Sequence, residues 1–249
     1  MSRVVAGRRA VLEALRSGRP QRLILASDAR RNLREILQLA RERGVPTEER
    51  SIDELDQLSP GIRHQGVIAQ VDEARYLSLH ELLEPCTRPP LFVALDEITD
   101  PHNLGAIVRS VVAFGADGII LPKHRAAHVT PVVTRTSAGG TEYARFAEVT
   151  NLQKALTELA ERGFQVVGLA ADGGTKLSEL PPAPEGRVLV IGSEGRGLRR
   201  LVRSRCDVLA RIDLPGPIAS LNAAVAAGIA LFEASKDRPP AGPSEPPSA

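Results

Sequence analysis

Three stretches of this sequence carry residue types that a plain structural role does not exhaust. The first is Asp96-Glu97-Ile98-Thr99-Asp100-Pro101-His102-Asn103-Leu104-Gly105, leading into Ala106-Ile107-Val108-Arg109-Ser110-Val111-Val112. Asn103 stands at a helix entrance, where an N-cap and a ligand-positioning amide are both open readings. Arg109 lies in an otherwise apolar segment, so its charge needs a partner if it is buried, and a polynucleotide phosphate is one candidate. The second stretch, Ile191-Gly192-Ser193-Glu194-Gly195-Arg196-Gly197-Leu198, is a glycine-rich turn between a strand and a helix. Glycine lets a backbone approach a ligand and offers bare N–H groups. The lysine and hydroxyl of a P-loop are missing, which argues against ATP or GTP. A nicotinamide fingerprint fits poorly, because no acidic residue follows at the expected distance. Glu194 has a second open reading, as a negative charge at the start of the helix near Leu198. The third stretch runs from Ile212 through Leu214-Pro215-Gly216-Pro217-Ile218-Ala219-Ser220-Leu221-Asn222 to Gly228 and enters a helix of Ala, Val and Gly. Ser220 is the natural N-cap. Asn222 then falls inside the first turn, where capping does not account for it.

Elements of an α/β protein must position these stretches. Leu91–Leu95, Gly118–Leu121, Gln165–Ala170, Arg187–Ile191 and Val208–Ile212 read as strands without polar alternation, as in a parallel sheet covered on both faces. Helices are expected over Gly105–Phe114, from Asn151 to Gly163, from Leu198 to about Ser204 and over Leu221–Glu233. This alternation predicts a doubly wound parallel sheet, in which ligands bind beyond the carboxyl ends of the strands, where all three stretches fall. Upstream, Ala10–Leu15 and Leu33–Ala40 read as helices, Arg22–Leu25 and Gly66–Val71 as strands, and Ser51 with Glu54 as a capping box. Residues 1–75 therefore form a small α/β domain. Residues 76–90, with a short helix at Ser78–Leu83 and then Pro85 and Pro89-Pro90, form a linker. Residues 91–238 form the larger domain, and the Pro-rich tail 239–249 is too polar to pack.

Composition narrows the class. Apolar residues make up 43% and charged residues 25%, the balance of a globular protein. No apolar run approaches the ~20 residues that span a bilayer, and no signal-peptide h-region stands at the N-terminus, so a cytoplasmic protein without membrane association is expected. Cys86 and Cys206 are far apart and no histidine clusters with them, which argues for reduced thiols and against a metal site. The net charge of +2 is not decisive, and its distribution is more informative. Residues 1–50 hold 12 Arg against 6 Asp/Glu, a net of +6, and residues 51–100 hold 3 Arg against 10 Asp/Glu, a net of −7. A basic N-terminal segment with Arg8, Arg9, Arg16, Arg30, Arg31 and Arg34 is either a phosphate-facing patch or a set of solvated helix faces.

Taken together, Asp100–Ser110, Ile191–Leu198 and Leu214–Ala226 resemble the three motifs of the SpoU/TrmH family of SPOUT RNA ribose 2′-O-methyltransferases. Val5-Ala6-Gly7 and His64–Ala69 resemble the ribosomal-protein-like RNA-binding domain of the branch that methylates a large-subunit rRNA guanosine. The resemblance implies a trefoil knot in the C-terminal doubly wound domain, S-adenosylmethionine as cofactor, and a homodimer whose knotted faces share the active sites. It implies Gly192, Gly195, Leu214 and Leu221 around the cofactor, and Asn103, Arg109, Glu194, Ser220 and Asn222 as the polar set of the reaction. Gly216–Ala219 reads as a shorter loop than the family pattern, with Ala219 where a second serine is common. A tRNA guanosine 2′-O-methyltransferase and a non-catalytic RNA-binding relative are the alternatives.

Overall fold

The computed structural model describes residues 2–18, 20–27, 29, 33–84, 86, 88–236 and 238. Arg30, Arg31, Pro85 and the tail 239–249 lie outside the described residues, and with them the expectations placed there. Among the described residues the chain folds as two compact units. Residues up to Ala74 cluster with Val129–Tyr143, and Arg75–His128 cluster with the residues from Ala144 onward.

The first unit contains β1 (Ser2–Ala6), α1 (Arg8–Arg16), β2 (Pro20–Ala26), α2 (Arg34–Glu42), β3 (Thr47–Arg50), α3 (Ile52–Leu58) and β4 (Val67–Asp72). Its sheet order is β1-β4-β2-β3, with β1 and β2 antiparallel to β4 and β3 parallel to β2. Alternation along β2 makes both faces apolar. Leu23 and Leu25 join Val11, Leu15 and Ile36 from α1 and α2, while Ile24 and Ala26 meet Leu55 of α3. Ser51 and Glu54 form the expected capping box at α3. The polar strand β3 carries no alternation of apolar residues and was not expected; it is an edge held by the ladder to β2.

Residues 129–143, which carried no element expectation, belong to this unit. They form α6 (Pro131–Thr136) and a short 3-10 turn, and they pack against β1 and α1. Arg3 donates to Thr134 Oγ1 at 3.0 Å and to Glu142 Oε1 at 2.5 Å, and Glu142 is fully buried. Ala138 and Gly139 both take left-handed φ values after α6. A Cβ on Gly139 would meet that of Glu13 at 2.6 Å, so only glycine lets this turn close on α1.

The second unit contains β5 (Tyr76–Leu77), α4 (Leu79–Leu83), β6 (Leu91–Asp96), α5 (Pro101–Ala113), β7 (Gly118–Pro122), β8 (Phe146–Val149), α7 (Leu152–Glu161), β9 (Gln165–Leu169), β10 (Thr175–Lys176), β11 (Arg187–Gly192), α8 (Arg200–Arg203), β12 (Val208–Arg211) and α9 (Ala223–Ser235). The sheet order is β10-β12-β9-β11-β6-β7-β8-β5, and its pairings are parallel. Every residue of β6 and β7 is buried, as a sheet covered on both faces requires. This is the α/β architecture expected from the alternation. From β6 the chain first proceeds to β7 and β8; later β11 enters between β6 and β9. The strand order thus reverses at β6/β11. No helix of the described structure is long and apolar enough to cross a membrane.

Candidate active site

The carboxyl ends of β6, β9, β11 and β12 bring the three singled-out stretches together. Helix α5 begins earlier than expected: Asp100 caps it, accepting from the His102 N–H at 2.9 Å, and Pro101 occupies the first turn. Asn103 is therefore not the cap, and its side chain is available to reach outward. Its Nδ2 donates to Glu194 Oε1 at 3.0 Å. Asn222 Nδ2 donates to Asn103 Oδ1 at 2.9 Å and also to Glu194 Oε1. The amide of Ala223 donates to the same carboxylate oxygen at 3.4 Å.

The expected cap at Ser220 is corrected. Asn222 is the N-cap of α9, its Oδ1 accepting from the Ala224 and Val225 amides at 2.9 and 3.2 Å. The chain stays non-helical through Leu221, so the oxygen that can reach the N2 and N3 amides belongs to Asn222. One side chain thus caps with its oxygen and ties the group together with its nitrogen. Ser220 is exposed and makes no hydrogen bond among the described residues. Glu194 does sit at a helix N-terminus, but that of α9 rather than the one near Leu198. At α8 the carboxylate comes from Asp96, which is fully buried and accepts from Arg199 N at 2.8 Å and Arg199 Nε at 2.7 Å.

Arg109 departs from the reasoning that singled it out. It is exposed on α5, so burial does not demand a partner, and it has no hydrogen bond or ion pair among the described residues. Six residues after Asn103 lies about 240° around a helix, so the two side chains leave α5 on different faces.

Beside the Asn103–Glu194–Asn222 group lies a cavity of about 320 Å³. Gly192, Glu194, Gly195, Ile212, Leu214, Ser220 and Leu221 line it, and so do Leu169, Ala170, Asp172 and Arg203, which sequence reasoning missed. Position at the carboxyl end of β9 could have found the first three, while Arg203 on α8 gave no such signal. A volume of this size suits a small organic ligand. Leu169, Ile191, Leu198 and Ile212 supply apolar wall. Asp172 and Arg203 supply a charged pair, joined by two hydrogen bonds of 2.9 and 3.0 Å that hold the Asp172 carboxyl below its usual range. Gly192 has no room for a side chain, since a Cβ would fall on the Gly197 carbonyl and the Leu198 amide. Gly195 has φ 76° with open space around it, so it shapes the turn without filling the cavity.

An all-parallel sheet whose carboxyl-end loops enclose an apolar cavity beside a carboxylate–amide group defines a small-ligand-binding α/β domain, here joined to a smaller α/β unit. Comparison with known proteins gives its family. Residues 90–232 match the SpoU rRNA Methylase family, and residues 4–77 match the RNA 2′-O ribose methyltransferase substrate-binding domain. The chain belongs to the SpoU methylase family. It is 44% identical over 241 residues to a protein of Mycolicibacterium vanbaalenii named as a tRNA/rRNA methyltransferase, covering 94% of this chain and 76% of that one. Among solved structures it is similar to the SpoU methyltransferase AviRb from Streptomyces viridochromogenes, with TM-score 0.77 and 29% identity over 95% of this chain and 90% of that one. It is also similar to an AdoMet-bound rRNA methyltransferase from Sinorhizobium meliloti, with TM-score 0.79 and 27% identity over 96% and 88% of the two chains.

Proposed function

We propose that this chain transfers a methyl group from S-adenosylmethionine to a ribose 2′-hydroxyl, that of a guanosine in large-subunit rRNA, in the cytoplasm. The observation that carries the reading is the meeting of Asn103, Glu194 and Asn222 at the edge of a cavity that fits the cofactor. Apolar wall from Leu169, Ile191, Leu198 and Ile212 suits an adenine. The backbone of Gly192–Gly197 offers hydrogen bonds, and Leu214 and Leu221 close the space.

The cofactor supplies a methyl already activated on a sulfonium, so the protein's task is alignment and charge control. Glu194 accepts neutral donors on Oε1 from Asn103, Asn222 and Ala223. Its rigid placement lets the group orient a ribose hydroxyl. Arg109 holds its proton, because a guanidinium is not deprotonated in proteins. Its role is to bind the target phosphate and stabilise the developing alkoxide.

A homodimer reconciles Arg109 with that role, since Arg109 and Asn103 leave α5 on different faces. The supporting surface is on α9, where Val225, Ile229 and Phe232 repeat at helical spacing and are 51%, 37% and 54% exposed. A self-complementary apolar stripe of this kind fits a twofold contact between copies. The trefoil knot of the larger unit belongs to the same reading, supported by the insertion of β11 between the earlier β6 and the later-formed edge at β9. Residues 4–77 would hold the RNA, with Arg8, Arg9 and Arg63 exposed on their surface.

The deciding experiment is methyl transfer from labelled S-adenosylmethionine to total rRNA and total tRNA, with the modified ribose mapped. Label in large-subunit rRNA is the expected result. Label in tRNA alone keeps the chemistry and overturns the substrate. RNA binding with neither label nor cofactor binding makes the chain a non-catalytic relative.

A further inference from the structure

Residues 195–206 contain five arginines and no acidic residue. Two of the five are neutralised by carboxylates from other loops. Arg199 Nε lies 2.7 Å from the buried Asp96, and its Nη1 lies 3.5 Å from Glu97. Arg203 is paired with Asp172 at 2.9 Å. The other three, Arg196, Arg200 and Arg205, are exposed, and their side chains have no hydrogen bond or ion pair among the described residues. Arg196 lines the cavity two residues from Glu194, and Leu201, beside Arg200 on α8, is 53% exposed.

A basic helix that merely faces water is ordinarily interleaved with acids, because like charges this close repel. Here the carboxylates that approach the segment serve only its two structural arginines. Three fork-shaped donors remain unneutralised along one loop and helix that begins at Arg196 on the cavity wall.

We propose that Arg196, Arg200 and Arg205 form a phosphate track, on which the RNA backbone lies where it leaves the target ribose. The track is separate from any contact made by residues 4–77, and it rests on the reading above that RNA is the substrate. Guanidinium groups match phosphate oxygens bidentately, and the exposed Leu201 offers apolar surface to a neighbouring sugar or base. Phosphate contacts carry no sequence information, so the track contributes affinity and register for RNA of any sequence.

The test uses the full chain with Arg200→Ala/Arg205→Ala, and with Arg200→Lys/Arg205→Lys as the charge-retaining control. Both positions lie outside the cavity wall, so S-adenosylmethionine affinity by calorimetry and the melting temperature should match wild type. Binding of a fluorescein-labelled oligouridylate, followed across salt concentrations, should lose about 1.4 from its log–log salt slope in the Ala variant. The KM for total rRNA should rise about tenfold with kcat retained, and the Lys variant should keep most of the slope. An Ala variant with wild-type slope and KM overturns the track while leaving the methyltransferase reading intact. A wild-type chain that binds cofactor but no RNA overturns that reading, and the track with it.

Discussion

Two carboxylate-centred groups in this molecule look alike in composition and differ in everything that matters for chemistry. In the first unit Glu142 is fully buried. It meets Arg3 at 2.5 Å and Thr141 Oγ1 at 3.0 Å, and the Thr134 hydroxyl accepts from both Arg3 and Thr141. In the second unit Glu194 is exposed and meets only amides, from Asn103, Asn222 and Ala223. The buried group cancels its charge with a cation and admits no ligand, so it can only hold α6 and its turn onto β1. The exposed group meets no cation among the described residues and borders a cavity. Partner type and solvent access, rather than the presence of a carboxylate, separate a structural tie from a site.

The sharpest way to break the comparison is to remove the cation assigned to the reaction. Arg109→Ala should cut turnover on the order of a thousandfold or more, with S-adenosylmethionine affinity unchanged by calorimetry. Near-normal turnover would remove Arg109 from the mechanism. Mixing Arg109→Ala with Asn103→Ala subunits should recover part of the activity if the site is shared between copies; no recovery would place each site within one chain.

The next effect separates the two carboxylates directly. Glu142→Ala leaves Arg3 buried and unpaired and should cost about 3–5 kcal/mol, read as a lower denaturation midpoint. Glu194→Gln should leave the midpoint nearly unchanged and lower turnover instead. If Glu194→Gln melted early and Glu142→Ala did not, the assignment of roles would be reversed.

A smaller effect distinguishes the two residues at the start of α9. Asn222→Ala should cost about 1 kcal/mol of stability through the lost cap, together with turnover. Ser220→Ala should change stability by less than about 0.5 kcal/mol, since the hydroxyl makes no bond to lose. Equal stability losses would argue that Ser220 caps the helix after all.

The smallest concerns Asp172. Its folded carboxyl sits below the unfolded value of 3.8 because Arg203 donates to it. The pair therefore contributes above that value and is lost as pH falls through the folded one. Asp172→Asn should lower the melting temperature slightly at neutral pH and not below the folded value, and should weaken cofactor binding if the pair faces the ligand. Unchanged calorimetry would make it a surface pair.

Much of the fold was legible because periodicity and capping act locally. The apolar strands Leu91–Leu95 and Arg187–Ile191, the capping box of Ser51 with Glu54, and the helix from Asn151 all appear close to where their residues put them. The segment 123–150 gave no such signal. Helix α6 is six residues long and rich in Thr, and β8 has four residues, so neither carries enough period to read. Their placement comes from long-range contacts, such as those of Arg3 and of the ladder to β7. At the site, Asn103 and Asn222 stand out in sequence by type, but the expected caps, Asn103 and Ser220, fall three and two residues from the real ones. Asp100 and Asn222 are the caps, because the true helix starts depend on where the preceding loops straighten.

By itself, the sequence determined the α/β alternation and the residues worth watching, since these follow from local periodicity and from side-chain types at fixed spacing, and it carried the motifs whose resemblance pointed to the family. Only the tertiary structure decided that Asn103 and Glu194, 91 residues apart, share a hydrogen bond with Asn222 closing the group, and that Arg109 faces away. It also decided that residues 129–143 belong with the first unit. The physical reason is common to all three. Which side chains meet is set by strand order and helix phase, and those are fixed by burial of the whole core rather than by any segment alone.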